Sequence, residues 1–146
     1  SPLYAEEMVR VKRVVDGDTV VLDNNSRIRL IGVDTPEHHL SAKLQKDAKR
    51  SKKDVETIKA LGKKATAFTK QLVEGKKVRI EYGQERKDRY GRTLGYLYLQ
   101  KGTFVNLEII KKGYGVAYTK YPFKYMDEFM AAEKAAREAK RGLWSE

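Results

Sequence analysis

The stretch Met8–Leu22, MVRVKRVVDGDTVVL, decides the fold. Its valines suit the pleated, half-buried surface of a strand. Asp16-Gly17 interrupts the run, and that dipeptide is a strong hairpin signal. Asp23-Asn24-Asn25-Ser26 is a second turn cluster, and Arg27–Val33, RIRLIGV, reads as a third strand. The first third of the chain is therefore expected to be a three-stranded antiparallel meander. If Asp23–Ser26 closes a four-residue hairpin, Leu22 faces Arg27, Val20 faces Arg29 and Asp18 faces Ile31. That register places Asp18 and Arg29 on one face of the sheet, with Asp34 just past the same end.

Working outward, His38–Lys53 is polar and lysine-rich and is expected to be a mobile basic loop. It leads into a helix with Ile58, Leu61, Ala65, Phe68 and Leu72 on one stripe. Asp54 is a candidate cap, and Gly75 is placed to end the helix. Lys77–Tyr82 is a fourth strand, Glu85–Arg92 a charged loop and Thr93–Leu99 a fifth strand. Thr103–Lys112 reads as a short helix closed by Gly113. Pro122 is expected to open the last helix at its favoured first position, with Phe123, Met126, Met130 and Ala136 on its apolar face and Gly142 at its end. Phe68, Leu72, Phe123, Met126 and Met130 are expected to fill the core, and Trp144 to pack the C-terminal tail. The predicted class is α+β, mainly β: a five-stranded OB-fold barrel with three α-helices, forming one domain over residues 1–146.

The charge balance narrows the class of partner. Of 146 residues, 31 are Lys or Arg and 20 are Asp or Glu, giving a net charge of +11. A small domain this basic attracts polyanions, because each neutralised phosphate releases counterions; a merely solubilising surface is the plainer alternative. The chain has no cysteine, which excludes a disulfide scaffold and a thiolate metal site. No apolar run approaches the length of a membrane-spanning helix. No signal peptide is visible, and a monomer is expected.

Three carboxylates interrupt apolar or β-rich stretches: Asp18, Asp34 and Glu37. Carboxylates that converge are oxygen ligands suited to a hard cation such as calcium or magnesium, and the Thr35 carbonyl is positioned to join them. Pro36 fixes its own φ and restricts Thr35 to extended conformations, which holds the turn's carbonyls in place. Asp16 flanks Gly17, and turn chemistry alone explains it as well as a role at the metal does. Arg29 is charged in a strand of Ile, Leu and Val. Arg92 closes Asp88-Arg89-Tyr90-Gly91-Arg92. Guanidinium groups match phosphate oxygens bidentately; the plain alternative for each is a solvent-facing position or a salt bridge.

Together these runs resemble the staphylococcal nuclease, or thermonuclease, family. The matching blocks are Val15–Val20, Arg29–Glu37, Ala65–Lys70, Asp88–Arg92 and Leu143–Glu146, in the family's order and spanning nearly the whole chain. The resemblance implies an OB-fold nuclease in which Asp18 and Asp34 bind Ca2+ through carboxylates and Thr35 binds it through its carbonyl, with Asp16 in the outer shell. It implies that Glu37 is the general base or orders the attacking water, and that Arg29 and Arg92 hold the scissile phosphate. Tyr90 would line the nucleotide pocket, and Tyr118 would contact the base or terminal phosphate. The implied substrates are single-stranded DNA, double-stranded DNA and RNA, cut at the P–O5′ bond to leave 3′-phosphate and 5′-hydroxyl ends. A secreted or cell-surface location is also implied.

The chain departs from the family pattern in three places. The stretch between Glu37 and the Phe68 helix is longer and carries His38-His39 and extra lysines; an adjacent histidine pair is a candidate transition-metal ligand but is more simply an exposed polar pair. The hairpin between Asp18 and Arg29 is shorter. Lys120 stands where a second tyrosine is common, with Tyr121 next to it. Two other readings stay open on sequence grounds: a non-catalytic nucleic-acid-binding module of the same fold, and a plain OB-fold binder.

Overall fold

The computed structural model describes residues 8–36 and 52–145, and of 52–54 the backbone only. Strands β1 (Val9–Asp16) and β2 (Thr19–Leu22) form the first hairpin, turning at Gly17-Asp18 with Asp16 opposite Thr19. The next turn is one residue tighter than the sequence suggests. The Leu22 N–H donates to the Ser26 carbonyl at 2.9 Å and the Asn25 N–H to the Leu22 carbonyl at 2.8 Å, with Asn25 at φ 69°. A three-residue loop closed by a left-handed residue is a common hairpin connection, and Asn tolerates that conformation. Strand β3 (Arg27–Leu30) therefore sets Thr19, not Val20, opposite Arg29, and Val20 opposite Ile28. The four-residue register expected above is off by one.

The third strand also ends sooner than Val33. Gly32 has φ 78°, and a Cβ there would lie 2.5 Å from the Phe123 ring, so the chain turns where only glycine fits. Val33–Asp34 is a separate short strand, β4, outside the barrel. Beyond the first helix, β5 (Lys77–Lys87) runs five residues past the expected Tyr82, with an irregularity between Tyr82 and Lys87. Strand β6 spans Thr93–Leu99 as expected. The five long strands close into a barrel in the order β1-β2-β3-β6-β5. Its seams are antiparallel except β3–β6, which is parallel with Arg29 opposite Leu94. Strand β7 (Val116–Ala117) pairs with β4; two residues are too few for an alternating pattern to announce it.

Alternation sends Val11, Val20, Ile28, Leu30, Val78, Leu97 and Leu99 into the barrel, where all are buried. Helix α1 (Lys52–Val73) packs against β1, burying Ala65, Thr69 and Val73. Lys52, Lys53 and Asp54 lie within it, so Asp54 is not its cap and the expected loop does not extend to Lys53; the rest of that expected loop, from His38 to Ser51, lies outside the described residues. Phe68 is half-buried and stacks on Tyr114 at 4.4 Å.

Helix α2 (Val105–Lys111) carries a buried amide that joins the parallel seam. Asn106 Oδ1 accepts the Leu97 N–H at 2.9 Å, and Nδ2 donates to the carbonyls of Ile31 at 2.9 Å and Gly95 at 3.2 Å. A buried amide used on both ends in this way stabilises rather than costs. The last helix, α3 (Met126–Glu138), starts four residues after Pro122, so that proline does not open it. It buries Phe129 and, as expected, Ala136; Met130, expected in the core, is 50% exposed because it falls on the outer face. Lys140 ends α3 in a left-handed conformation at φ 55°, with N–H bonds from Lys140 to Arg137 and from Arg141 to Ala136. Gly142 instead begins a 3-10 turn, Gly142–Ser145, in which Trp144 lies beneath Arg137.

Candidate active site

Two turns and a strand bring the predicted carboxylates together. Asp18 sits in the β1–β2 turn, where it is buried. Its Oδ2 accepts the Thr35 N–H at 3.1 Å and the Thr35 hydroxyl at 3.2 Å, and its Oδ1 accepts the Thr19 hydroxyl at 3.1 Å. The turn is fixed from outside as well. Thr69 of α1 donates to the Gly17 carbonyl at 2.8 Å, and a Cβ at Gly17 would come within 2.9 Å of Thr35. Thr35 is thus pressed onto the turn from the strand that carries Asp34.

Arg29 lies between the two carboxylates. Its Nη2 is 3.6 Å from Asp18 Oδ2 and 3.8 Å from Asp34 Oδ1, with the arginine side chain 14% exposed. Both separations are ion-pair distances beyond hydrogen-bond length. The other nitrogen, Nη1, donates to the carbonyls of Leu30 at 2.8 Å and Val33 at 2.6 Å, which ties the Ile31-Gly32 turn. One face of the guanidinium therefore holds the backbone, and one edge faces both acids. Asp18 and Arg29 meet although the register differs from the expected one, because Asp18 precedes β2 and the turn, not strand alternation, aims it.

Tyr118 completes this group. Its N–H donates to the Gly32 carbonyl at 2.9 Å, and its ring centre is 5.9 Å from the Arg29 guanidinium. Asp16 precedes the turn as the last residue of β1, paired with Thr19. Glu37, His38 and His39 lie outside the described residues.

Arg92 and Tyr90 form a second group, on the loop between β5 and β6. Asp88 organises it. Its Oδ1 accepts the N–H groups of Tyr90 at 2.9 Å and Arg92 at 3.0 Å, and its Oδ2 accepts Arg92 Nε at 2.8 Å. Burial opposes ionisation of Asp88, but these backbone and guanidinium donors outweigh it and hold the carboxyl below its ordinary value. Tyr90 is 69% exposed, with Arg92 5.5 Å from its ring centre. Arg92 lies two residues before Leu94, the partner of Arg29, or roughly 7 Å along the strand direction. Asp88 was not singled out in the sequence, although an Asp four residues before an Arg, with Gly between, is an Asx-turn signal.

The Asp18–Arg29–Asp34 group has two negative charges and one positive, so it is locally anionic in a chain of net +11. Hard oxygen donors with an excess negative charge fit a cation such as calcium, which accepts carboxylate and carbonyl oxygens in loose geometry. Among the described residues, no three acidic, histidine or cysteine side chains are grouped to hold a metal. The pair is what the described residues provide.

Fold and site together define a class: a closed OB-fold barrel with paired carboxylates beside Arg29 and Tyr118, and a second arginine and tyrosine, Arg92 and Tyr90, on the loop that leads into β6. Comparison with known proteins gives the family. The family model described as "Staphylococcal nuclease homologue" matches residues 27–146. The chain is 38% identical over 144 residues to a "Thermonuclease" of Staphylococcus hyicus, covering 96% of this chain and 77% of that protein. It is 37% identical over 142 residues to a "Thermonuclease" of Staphylococcus intermedius, covering 94% and 76% respectively. An "Uncharacterized endonuclease" of Escherichia coli O157:H7 is 37% identical over 147 residues, covering 99% and 81%. The chain belongs to the staphylococcal nuclease, or thermonuclease, family.

Proposed function

We propose that this protein is a calcium-dependent nuclease that hydrolyses phosphodiester bonds of DNA and RNA with little sequence preference, leaving 3′-phosphate and 5′-hydroxyl ends. One observation carries the reading: two carboxylates from separate elements, Asp18 of the β1–β2 turn and Asp34 of β4, converge on a single nitrogen of Arg29. A phosphodiester resists attack because it is anionic, so catalysis needs concentrated positive charge at the phosphorus. Calcium held by Asp18, Asp34 and the Thr35 carbonyl, with Asp16 in its outer shell, would supply part of that charge.

In this proposal the chain's own groups do the rest. Arg29 and Arg92 grip the non-bridging oxygens and neutralise the five-coordinate transition state. Glu37 takes the proton of the attacking water, or orders that water for attack. The new P–O bond forms as the P–O5′ bond breaks, and the departing oxygen is protonated to the 5′-hydroxyl. Tyr90 and Tyr118 flank the arginines, where they stack on bases or meet phosphate oxygens. Recognition through backbone and ring faces carries little sequence information. A secreted or cell-surface location belongs to the same proposal, because an unrestrained nuclease attacks its host.

The test is incubation of the protein with single-stranded DNA in calcium and in chelator. Fragments bearing 3′-phosphate, formed only with calcium, are expected. DNA that is retained but never cut would overturn the reading in favour of a nucleic-acid-binding module. A Glu37→Gln variant that cuts at the wild-type rate would remove Glu37 from the mechanism.

A further inference from the structure

We propose that the β5–β6 hairpin carries an outlying nucleotide-stacking subsite, formed by Tyr82 and Arg86, that grips single-stranded nucleic acid beyond the scissile phosphate. The inference rests on the nuclease reading and extends it to a part of the surface that the mechanism above does not use. Tyr82 has the inward parity of Val78 and Ile80, but its partner across the strand pair is Gly95, which offers no side chain to pack against. The ring stays 44% exposed. The Arg86 guanidinium lies 3.9 Å from its centre, a close cation–π distance.

Four further observations give this pair a direction. The strand irregularity between Tyr82 and Lys87 frees residues 83–86 from regular pairing, and such irregularities re-aim side chains near binding sites. Tyr82, Gly95 and Leu30 lie in one row across β5, β6 and β3, so the pair sits two strands from the residue that follows Arg29. The hairpin from Lys77 to Arg92 is basic by six residues to three, and two of its acids, Glu81 and Asp88, are already paired with Lys124 and Arg92. Tyr90, at the tip of the same hairpin, repeats the motif, with Arg89 5.1 Å and Arg92 5.5 Å from its ring. Two ring-and-guanidinium pairs along one basic hairpin suit a strand that stacks its bases and contacts arginine through its phosphates. A purely local role, in which Arg86 only steadies the irregular strand, makes a different prediction.

The experiment measures binding in chelator, where the chain is not cut. Its probes are a thymidine dinucleotide and an oligothymidylate of about eight nucleotides, within the span of one OB fold. Tyr82→Leu should weaken binding of the longer strand roughly 5- to 150-fold, the worth of one stacked base, and leave the dinucleotide unchanged. Tyr82→Phe should bind as wild type. Arg86→Gln should weaken the long strand and lower the magnitude of its log–log salt slope by about 0.7. Equal losses for both probes, or a Tyr82→Leu protein that melts lower yet binds the long strand normally, would overturn the subsite. Failure of the wild type to cut DNA in calcium would instead count against the nuclease reading.

Discussion

Replacing Arg29 by Gln should destabilise the protein most when calcium is absent. In the wild type, Nη2 faces Asp18 and Asp34 at 3.6 and 3.8 Å, and the three side chains are 14%, 10% and 23% exposed. Removing one partner from a buried ion pair typically costs about 3–5 kcal/mol, because the other charge is left uncompensated. Asp34 retains some water, so about 2–4 kcal/mol is the expected cost here. For a chain of this length each kcal/mol moves the melting temperature by roughly 2–4 °C, so the fall should be on the order of 5–15 °C in chelator. Calcium returns positive charge to the same two carboxylates and stabilises in proportion to the logarithm of its concentration over Kd. It should therefore raise the variant's melting temperature more than the wild type's. Cleavage should fall by at least about 10²- to 10³-fold at saturating calcium. Thermal melts at several calcium concentrations, with a cleavage assay, make the measurement. A variant that melts at or above wild type in chelator, or that calcium stabilises less, would refute the charge argument.

Three other substitutions have expected outcomes. Asp88→Asn should loosen Arg92 and slow cleavage about 10- to 100-fold, the scale of a small misplacement, with calcium affinity unchanged in titration. Glu81 accepts hydrogen bonds from Tyr125 at 2.8 Å, Lys124 at 3.1 Å and Tyr98 at 3.2 Å; burial opposes its ionisation, but these donors keep the carboxyl below its ordinary value. Its stabilising effect is therefore present above the unfolded-state pKa and lost as pH falls through the folded one. Glu81→Gln should cost about 1–3 kcal/mol at neutral pH, and denaturant midpoints should show the gap closing as pH falls below the ordinary glutamate range. Lys140→Gly removes a left-handed strain of about 1–2 kcal/mol against an entropic cost of about 0.4–1 kcal/mol, so a small rise in melting temperature is expected.

Much of the barrel was legible because its strands carry their own punctuation. Asp16-Gly17 and the Asp23–Ser26 cluster marked both early turns, and Thr93–Leu99 has the bounds its composition predicts. The register was not legible. Whether Asn25 adopts a left-handed conformation decides between three- and four-residue loops, and that choice depends on tertiary contacts. The end of β3 was hidden for a related reason: Gly32 turns because the Phe123 ring occupies the space above it, and Phe123 is distant in sequence. Asp18, Asp34 and Arg29 could be named because acids and arginines in apolar strands are conspicuous. Asn106, which knits Ile31 to Gly95, looked like any polar residue in a helix. Met130 and Phe129 are neighbours, and helical periodicity alone did not decide which one the sheet would cover.

The pairing of β4 with β7 has a consequence for synthesis. Asp34 belongs to a two-residue strand whose partner is Val116–Ala117, and the barrel seam beside Arg29 is completed by Leu94. A ribosome that has made residues only to the end of α1 has produced both acids and Arg29 but neither β6, which flanks Arg29, nor β7, which pairs with the strand of Asp34. On the proposed reading, the strand that carries Asp34 gains its partner only after Val116–Ala117 has been made, so a nascent chain that stops short of β7 carries the parts of a nuclease without their finished geometry.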